Sequence, residues 1–150
     1  MDSIKASSGR AAPRTREDLD AMFARVMASG PHRVFGLAID RWEAGESHLF
    51  FHAEETAFDP RGEVHGGVLS LLLEPAAMVA LAPMLPADHY AVTVAIQVQF
   101  LRPVRPRARV ELVGKVRKAG RTMAFCEAQA FDDGRLCVSA AITKSVFRME

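Results

Sequence analysis

Between Val64 and Pro83 the chain reads VHGGVLSLLLEPAAMVALAP, and a helix drawn through it is apolar on nearly every side: Val68, Leu69, Leu71, Leu72, Leu73, Ala76, Ala77, Met78, Val79 and Leu81 leave no polar stripe. A helix without a polar face has to be enclosed by other structure. With 150 residues the chain can bury one core and not two, so the enclosing material is mainly the strands that follow. These are expected at residues 91–101, 108–116, 122–131 and 136–147, separated by turn signals at Pro103 to Pro106, Ala119-Gly120 and Asp133-Gly134. The first alternates, with Val92, Val94, Ile96, Val98 and Phe100 on one face and Thr93, Ala95, Gln97 and Gln99 on the other. One face is expected to pack on the helix and the other to meet a polar site or a second subunit. The layout is α+β: one central helix wrapped by a long, curled antiparallel sheet.

Upstream, residues 1–14 read as a flexible polar tail and residues 15–150 as one domain. Thr15 followed by Asp18 resembles a capping box that opens a helix to about Ser29, and Gly30-Pro31 ends it. Val34 to Trp42 and Ser47 to Glu54 then form a hairpin about Glu43-Ala44-Gly45-Glu46. Cys126 and Cys137 flank the Asp133-Gly134 turn, which pairs Phe131 with Leu136 and leaves the two thiols out of register, so two buried free thiols are expected.

Charge narrows the partners. A formal net charge of +1 gives no global attraction to nucleic acid or an anionic membrane. The apolar stretches are interrupted short of the ~18 residues of a membrane span. The start, MDSIKASSGRAAPRTRED, lacks the apolar core of a secretory signal, which points to the cytoplasm. Its Ser and Arg content resembles a transit peptide, but Asp2 and the missing amphipathic pattern argue against one. His32, His48, His52 and His89 are scattered, so no metal is expected.

The run Asp59-Pro60-Arg61-Gly62-Glu63-Val64-His65-Gly66-Gly67, with Glu74 nine residues past His65, resembles the hotdog-fold thioesterases, in particular those related to phenylacetyl-CoA and 4-hydroxybenzoyl-CoA thioesterases. Those enzymes commonly show Asn, two residues, Gly, two residues, then His-Gly-Gly, with an acid nine positions after the histidine. The stretch TVAIQVQFLRPVRPRARVELVGKVRKAGRTMAFCEAQAFDDGRL is similar to the family's strand ending in Phe-hydrophobe-Arg-Pro and to the hairpins after it; the likeness spans about residues 34–147. It implies a hotdog fold, an acyl-CoA thioesterase that takes coenzyme A only as part of its substrate, and sites shared between the subunits of a homodimer, often paired into a tetramer. The family's Asn is replaced here by Asp59, whose ionised carboxylate cannot donate a hydrogen bond and would repel a nearby oxyanion. Pro75 removes one helical hydrogen bond beside Glu74, where a kink is expected.

Thioester hydrolysis needs a polarised carbonyl, an activated water or carboxylate, and a slot for the acyl chain. Gly66 and Gly67 sit where the buried helix begins, so their backbone amides and the positive end of the helix dipole suit the thioester oxygen. Gly62 belongs to the same loop, and His65 serves to orient it. Glu74, the one acid between Val64 and Ala87, is the candidate base or nucleophile, and its apolar setting predicts a raised pKa. Thr93 falls where the resemblance places a Ser or Thr near the reacting group. Nine helical residues put His65 and Glu74 ~13.5 Å apart, so if both serve one thioester, Glu74 comes from a neighbouring chain. Arg102, Arg117, Lys118 and Arg121 belong to a basic stretch suited to the phosphates of coenzyme A; no aromatic residue is interleaved with it, which disfavours nucleic acid. Small residues (Ala76, Ala77, Ala80) leave room for a medium-chain or aryl acyl group. Two alternatives stand beside this reading: a hotdog hydratase or dehydratase, although the His-Phe-Pro loop is absent, and a non-catalytic acyl-CoA-binding module, kept open by Asp59. No Gly-x-Ser-x-Gly elbow occurs, which excludes the usual serine hydrolase.

Overall fold

The apolar segment is a helix, and the enclosing sheet is there. In the computed structural model, which describes residues 11–149, helix α3 (Gly66–Leu81) buries every residue from Pro75 to Leu81. Leu72, Leu73, Val79 and Leu81 have no exposed surface, and each contributes about 1.5–3 kcal/mol of transfer free energy. Pro75 lies inside α3, which carries on past it to Leu81. Together with the short turn that follows, the stretch Gly66–Met84 is long and apolar enough by composition to cross a membrane, which corrects the expectation that the apolar runs fall short. Its apolar surface is met by the sheet and the core.

Six antiparallel strands make that sheet, in the order β1-β2-β4-β5-β6-β3. They are β1 (Ala38–Glu43), β2 (Glu46–His52), β3 (His89–Phe100), β4 (Arg109–Ala119), β5 (Met123–Asp132) and β6 (Arg135–Arg148). Sheet and helix touch most closely at Gly114: a Cβ there would overlap the Ala76 carbonyl, which also accepts a 2.7 Å hydrogen bond from Ser47 Oγ. Only glycine allows that approach. At Asp133-Gly134 both residues have positive φ, and the two-residue turn pairs Phe131 with Leu136 as expected. Cys126 and Cys137 are free and buried.

Helix α1 (Arg16–Ala28) starts at the expected capping box, Thr15 Oγ1 accepting from the Asp18 amide and Asp18 from the Thr15 amide. Gly30-Pro31 does not simply end the helical region; it opens a second short helix, α2 (Gly30–Val34), because a proline in the first turn lacks only an N–H that would be unpaired there anyway. The first strand therefore begins at Ala38 rather than Val34. Of the residues expected to form a tail, three make contacts: the Ala87 amide donates to Ala12 O, Pro13 bridges Pro86, and Arg14 donates to His89 O. Residues 1–10 of that tail lie outside the described residues.

The largest departure is in β3. Thr93 pairs with Lys144 and Ala95 with Thr143, so Val94 is an extra residue, a β-bulge. Before the bulge Ala91 and Thr93 face the helix; after it the parity switches, and Ile96, paired with buried Ile142, takes the inner side. The alternation expected from the sequence therefore does not hold across the strand. Several of its apolar residues stay open: Val94 is 56% exposed, and Phe100, whose ring lies against Gly66 at the start of α3, is 55% exposed. β3 lies at the sheet edge, so most of its outer rim has no neighbour within the protomer.

Candidate active site

Three elements converge on one carboxylate. Glu74 projects from the middle of α3, Thr93 from β3 just before the bulge, and Lys144 from β6 directly opposite Thr93. Thr93 Oγ1 donates to Glu74 Oε1 at 2.6 Å, and Lys144 Nζ donates to both Glu74 Oε1 and, at 2.9 Å, Thr93 Oγ1. The bulge is what aims the threonine: with regular alternation Thr93 would face away from Ile96 and the helix. Lys144 is 1% exposed, whereas the Glu74 side chain is 35% exposed and opens onto a cleft.

That environment reverses the pKa expected for Glu74. Burial pushes it up, but the Lys144 charge, the Lys144 and Thr93 hydrogen bonds and a smaller effect of His32 together outweigh burial and hold the carboxyl below its ordinary value. In the sequence Glu74 stands as a solitary acid in an apolar helix because its counter-ion is 70 residues away. Lys144 does leave a signal: in β6 the inward positions run Val138, Ala140, Ile142, Lys144, Val146, a lysine in an otherwise apolar row.

The cleft has a volume of about 900 Å³ and lies between α1, α3 and the start of β3. Met22, Val26, Met78 and Ala91 give it an apolar wall, and Arg14, Asp18, Arg25 and His32 a polar rim. Sequence reading finds α1 without showing that it walls the site. His32 Nδ1 lies 2.8 Å from both Ser29 Oγ and Val26 O, which ties α2 to the end of α1.

The signature loop is elsewhere. His65 caps α3, its Nδ1 accepting from the Gly67 amide at 2.8 Å, which places the proton of a neutral ring on Nε2. Gly67 N–H is thus engaged, and the Gly66 N–H has no acceptor among the described residues. A Cβ on Gly67 would sit 2.9 Å from His65 Nδ1, so the glycine is needed for the cap. Asp59 is consumed by its own loop: Oδ1 accepts from the Arg61 and Glu63 amides at 2.8 and 3.1 Å, and Oδ2 from the Arg61 guanidinium. Burial pushes its pKa up, but these hydrogen bonds prevail and hold it below the usual carboxylate range. Gly62, with φ +81°, closes the same turn. These residues stand at the N-terminus of α3, roughly 13 Å from Glu74 at the rise of a regular helix. The signature loop and Glu74 are therefore two separate clusters on α3.

The expected basic patch is divided in the same way. Arg102 donates to Leu136 O at the Phe100 end of the sheet. Arg117, Lys118 and Arg121 lie at the far end of β4 and in the turn after it, roughly 20 Å or more along the strands at the usual rise. Arg105, Arg109, Lys115 and Arg117 are paired with Asp132, Glu111, Glu46 and Glu127. Among the described residues no group of three or more His, Cys, Asp or Glu side chains is arranged to hold a metal.

No curated protein matches the chain by sequence. Solved structures do match. Thioesterase HI1161 from Haemophilus influenzae superposes with a TM-score of 0.79 at 22% identity, over 91% of this chain and 92% of that one. A mutant of thioesterase PA1618 from Pseudomonas aeruginosa gives 0.79 at 20% identity, over 93% and 100%. A mutant of the phenylacetic acid degradation protein PaaI from Thermus thermophilus gives 0.70 at 24%, over 75% and 95%. At such identities the likeness carries the fold, which is the hotdog fold. The profile of the Thioesterase superfamily matches residues 61–139, more than half of the 150, from the signature loop through β3 to β6. The protein thus belongs to the thioesterase superfamily, the enzymes that hydrolyse thioesters.

Proposed function

We propose that the protein is an acyl-CoA thioesterase working as a homodimer, in which Glu74 of one subunit faces the α3 N-terminus of the other. The observation that carries this is a carboxylate fixed by Thr93 and Lys144 beside a cleft of about 900 Å³ while the signature loop lies out of its reach in the same chain. The exposed edge strand β3, with Tyr90, Val92, Val94, Ile96 and Phe100 all open to solvent, supports pairing of two copies along it. A dimer of dimers is the further assembly that the resemblance implies.

In this reading the thioester carbonyl rests against the free Gly66 amide and the positive end of α3. Glu74 takes the proton of an attacking water, and the tetrahedral intermediate expels the coenzyme A thiolate, which receives that proton. The alternative role, direct attack by the carboxylate to give an anhydride that water then opens, makes the same demand for an ionised Glu74. The apolar wall of Met22, Val26 and Met78 suits a medium-chain or aryl acyl group. Of the basic stretch, Arg102, Arg107, Lys118 and Arg121 have no acidic partner among the described residues and are the cations available to coenzyme A phosphates. The non-catalytic alternative rests on Asp59, and the use of that carboxylate within its own loop supports the catalytic reading over it. Hydrolysis of an acyl-CoA panel, followed by thiol release, tests the proposal. Turnover that collapses in Glu74→Ala supports it, and binding without turnover on any member overturns it.

A further inference from the structure

We propose that Lys144 is a positioning residue of the reaction: with Thr93 it fixes Oε1 of Glu74 and thereby reserves Oε2 as the oxygen that meets the substrate's water or carbonyl carbon. The inference rests on the reading of Glu74 given above. Both side-chain hydrogen bonds to Glu74 end on Oε1, and Oε2 has no partner among the described residues. A carboxylate held by one oxygen keeps a single rotamer while the other oxygen stays available, which is what a base in a pre-organised site requires. The three groups also bond to one another, so none is free to swing: Nζ reaches Thr93 Oγ1 as well as Glu74, and the threonine is itself set by the Val94 bulge.

A lysine that merely balanced a buried acid would need no such asymmetry. Placing the pair at the wall of the cleft is costly in desolvation, and a well-packed apolar pair would serve the core as well. The arrangement makes sense as a device that keeps Glu74 ionised and aimed. As water gives up its proton to Oε2, Lys144 retains its own on Nζ; no proton leaves the lysine, and the one taken from water goes on to the departing thiolate.

The experiment compares kcat and KM across pH for the wild type, Lys144→Met and Glu74→Gln. In Lys144→Met, burial acts on Glu74 without its counter-charge, so the acid limb of kcat/KM moves up by about a pH unit or more. Above that limb kcat falls about 10- to 100-fold while KM changes little, because the lysine aims the reacting group and does not hold substrate. A Lys144→Met enzyme with lowered thermal stability but an unmoved pH profile and unchanged kcat overturns the role of Lys144. Activity in Glu74→Gln overturns the reading of Glu74 beneath it. Should Lys144→Met fail to fold, carboxyl carbon NMR of the wild type with labelled glutamate decides: a Glu74 titration below that of the exposed glutamates is expected, and one above them overturns the proposal.

Discussion

The two polar clusters on α3 are built on different principles. At the α3 N-terminus the groups lie close in sequence, from Asp59 to Gly67, and are held by short-range bonds from backbone amides to the Asp59 and His65 side chains. Around Glu74 they come from three elements, are fixed by side-chain bonds, and include a lysine with almost no exposed surface. The first presents backbone amides that any sequence with the right turns can offer. The second depends on long-range packing, so it is more vulnerable to single substitutions and harder to see in a sequence.

The largest expected effect comes from Glu74→Gln, which keeps the size and removes the charge; kcat should fall about 10²- to 10⁴-fold, measured by thiol release. An enzyme within about 10-fold of the wild type would break the contrast, because the signature-loop cluster would then suffice. Val94→Lys comes next. A charge on the open edge strand should dissociate the dimer in sedimentation at micromolar protein and remove activity with it, while the fold is kept; an active monomer would mean that one chain completes the site.

How much of this was legible follows the same division. The helix, its caps, the four long strands and the Asp133-Gly134 turn are written in local patterns of apolar and turn residues, and the structure has them within a few residues. The signature loop was legible because its residues are contiguous. Lys144 was not, since its meaning depends on which strand lies opposite Thr93. The β3 bulge was hidden for a different reason: Val92, Val94, Ile96, Val98 and Phe100 alternate without a break, and only the pairing with β6 reveals that Val94 is supernumerary. Apolar residues on an edge strand also look like core until the neighbour is known to be missing.

Stability sharpens the comparison. Lys144→Met should lower unfolding free energy by up to about 3 kcal/mol, less than for a fully buried pair because Glu74 is about a third exposed. Chemical denaturation at neutral pH measures it. Since the Glu74 pKa is depressed in the folded state, its contribution is full above the unfolded glutamate pKa and is lost as pH falls through the folded value. The stability difference between Lys144→Met and the wild type should therefore shrink toward acid pH; a gap that stays constant would mean that Lys144 acts through packing alone. The smallest effect belongs to Asp59→Asn. Its amide oxygen can accept both backbone bonds now made to Oδ1, and only the ion pair with the exposed Arg61 is lost, so stability should be nearly unchanged and activity within a few-fold. A collapse of activity there would give Asp59 a direct role in catalysis.

If each site draws Glu74 from one subunit and the α3 N-terminus from the other, mixing two inactive variants should restore activity. Glu74→Gln disables one cluster, and Gly67→Val disables the other by crowding His65 Nδ1. After unfolding and refolding together at equal amounts, half of the dimers pair one variant with the other, and each of these contains one intact site, so about a quarter of wild-type activity should return. A mixture as inactive as its two parents would contradict the claim, because a site contained within a single chain cannot be repaired by its partner.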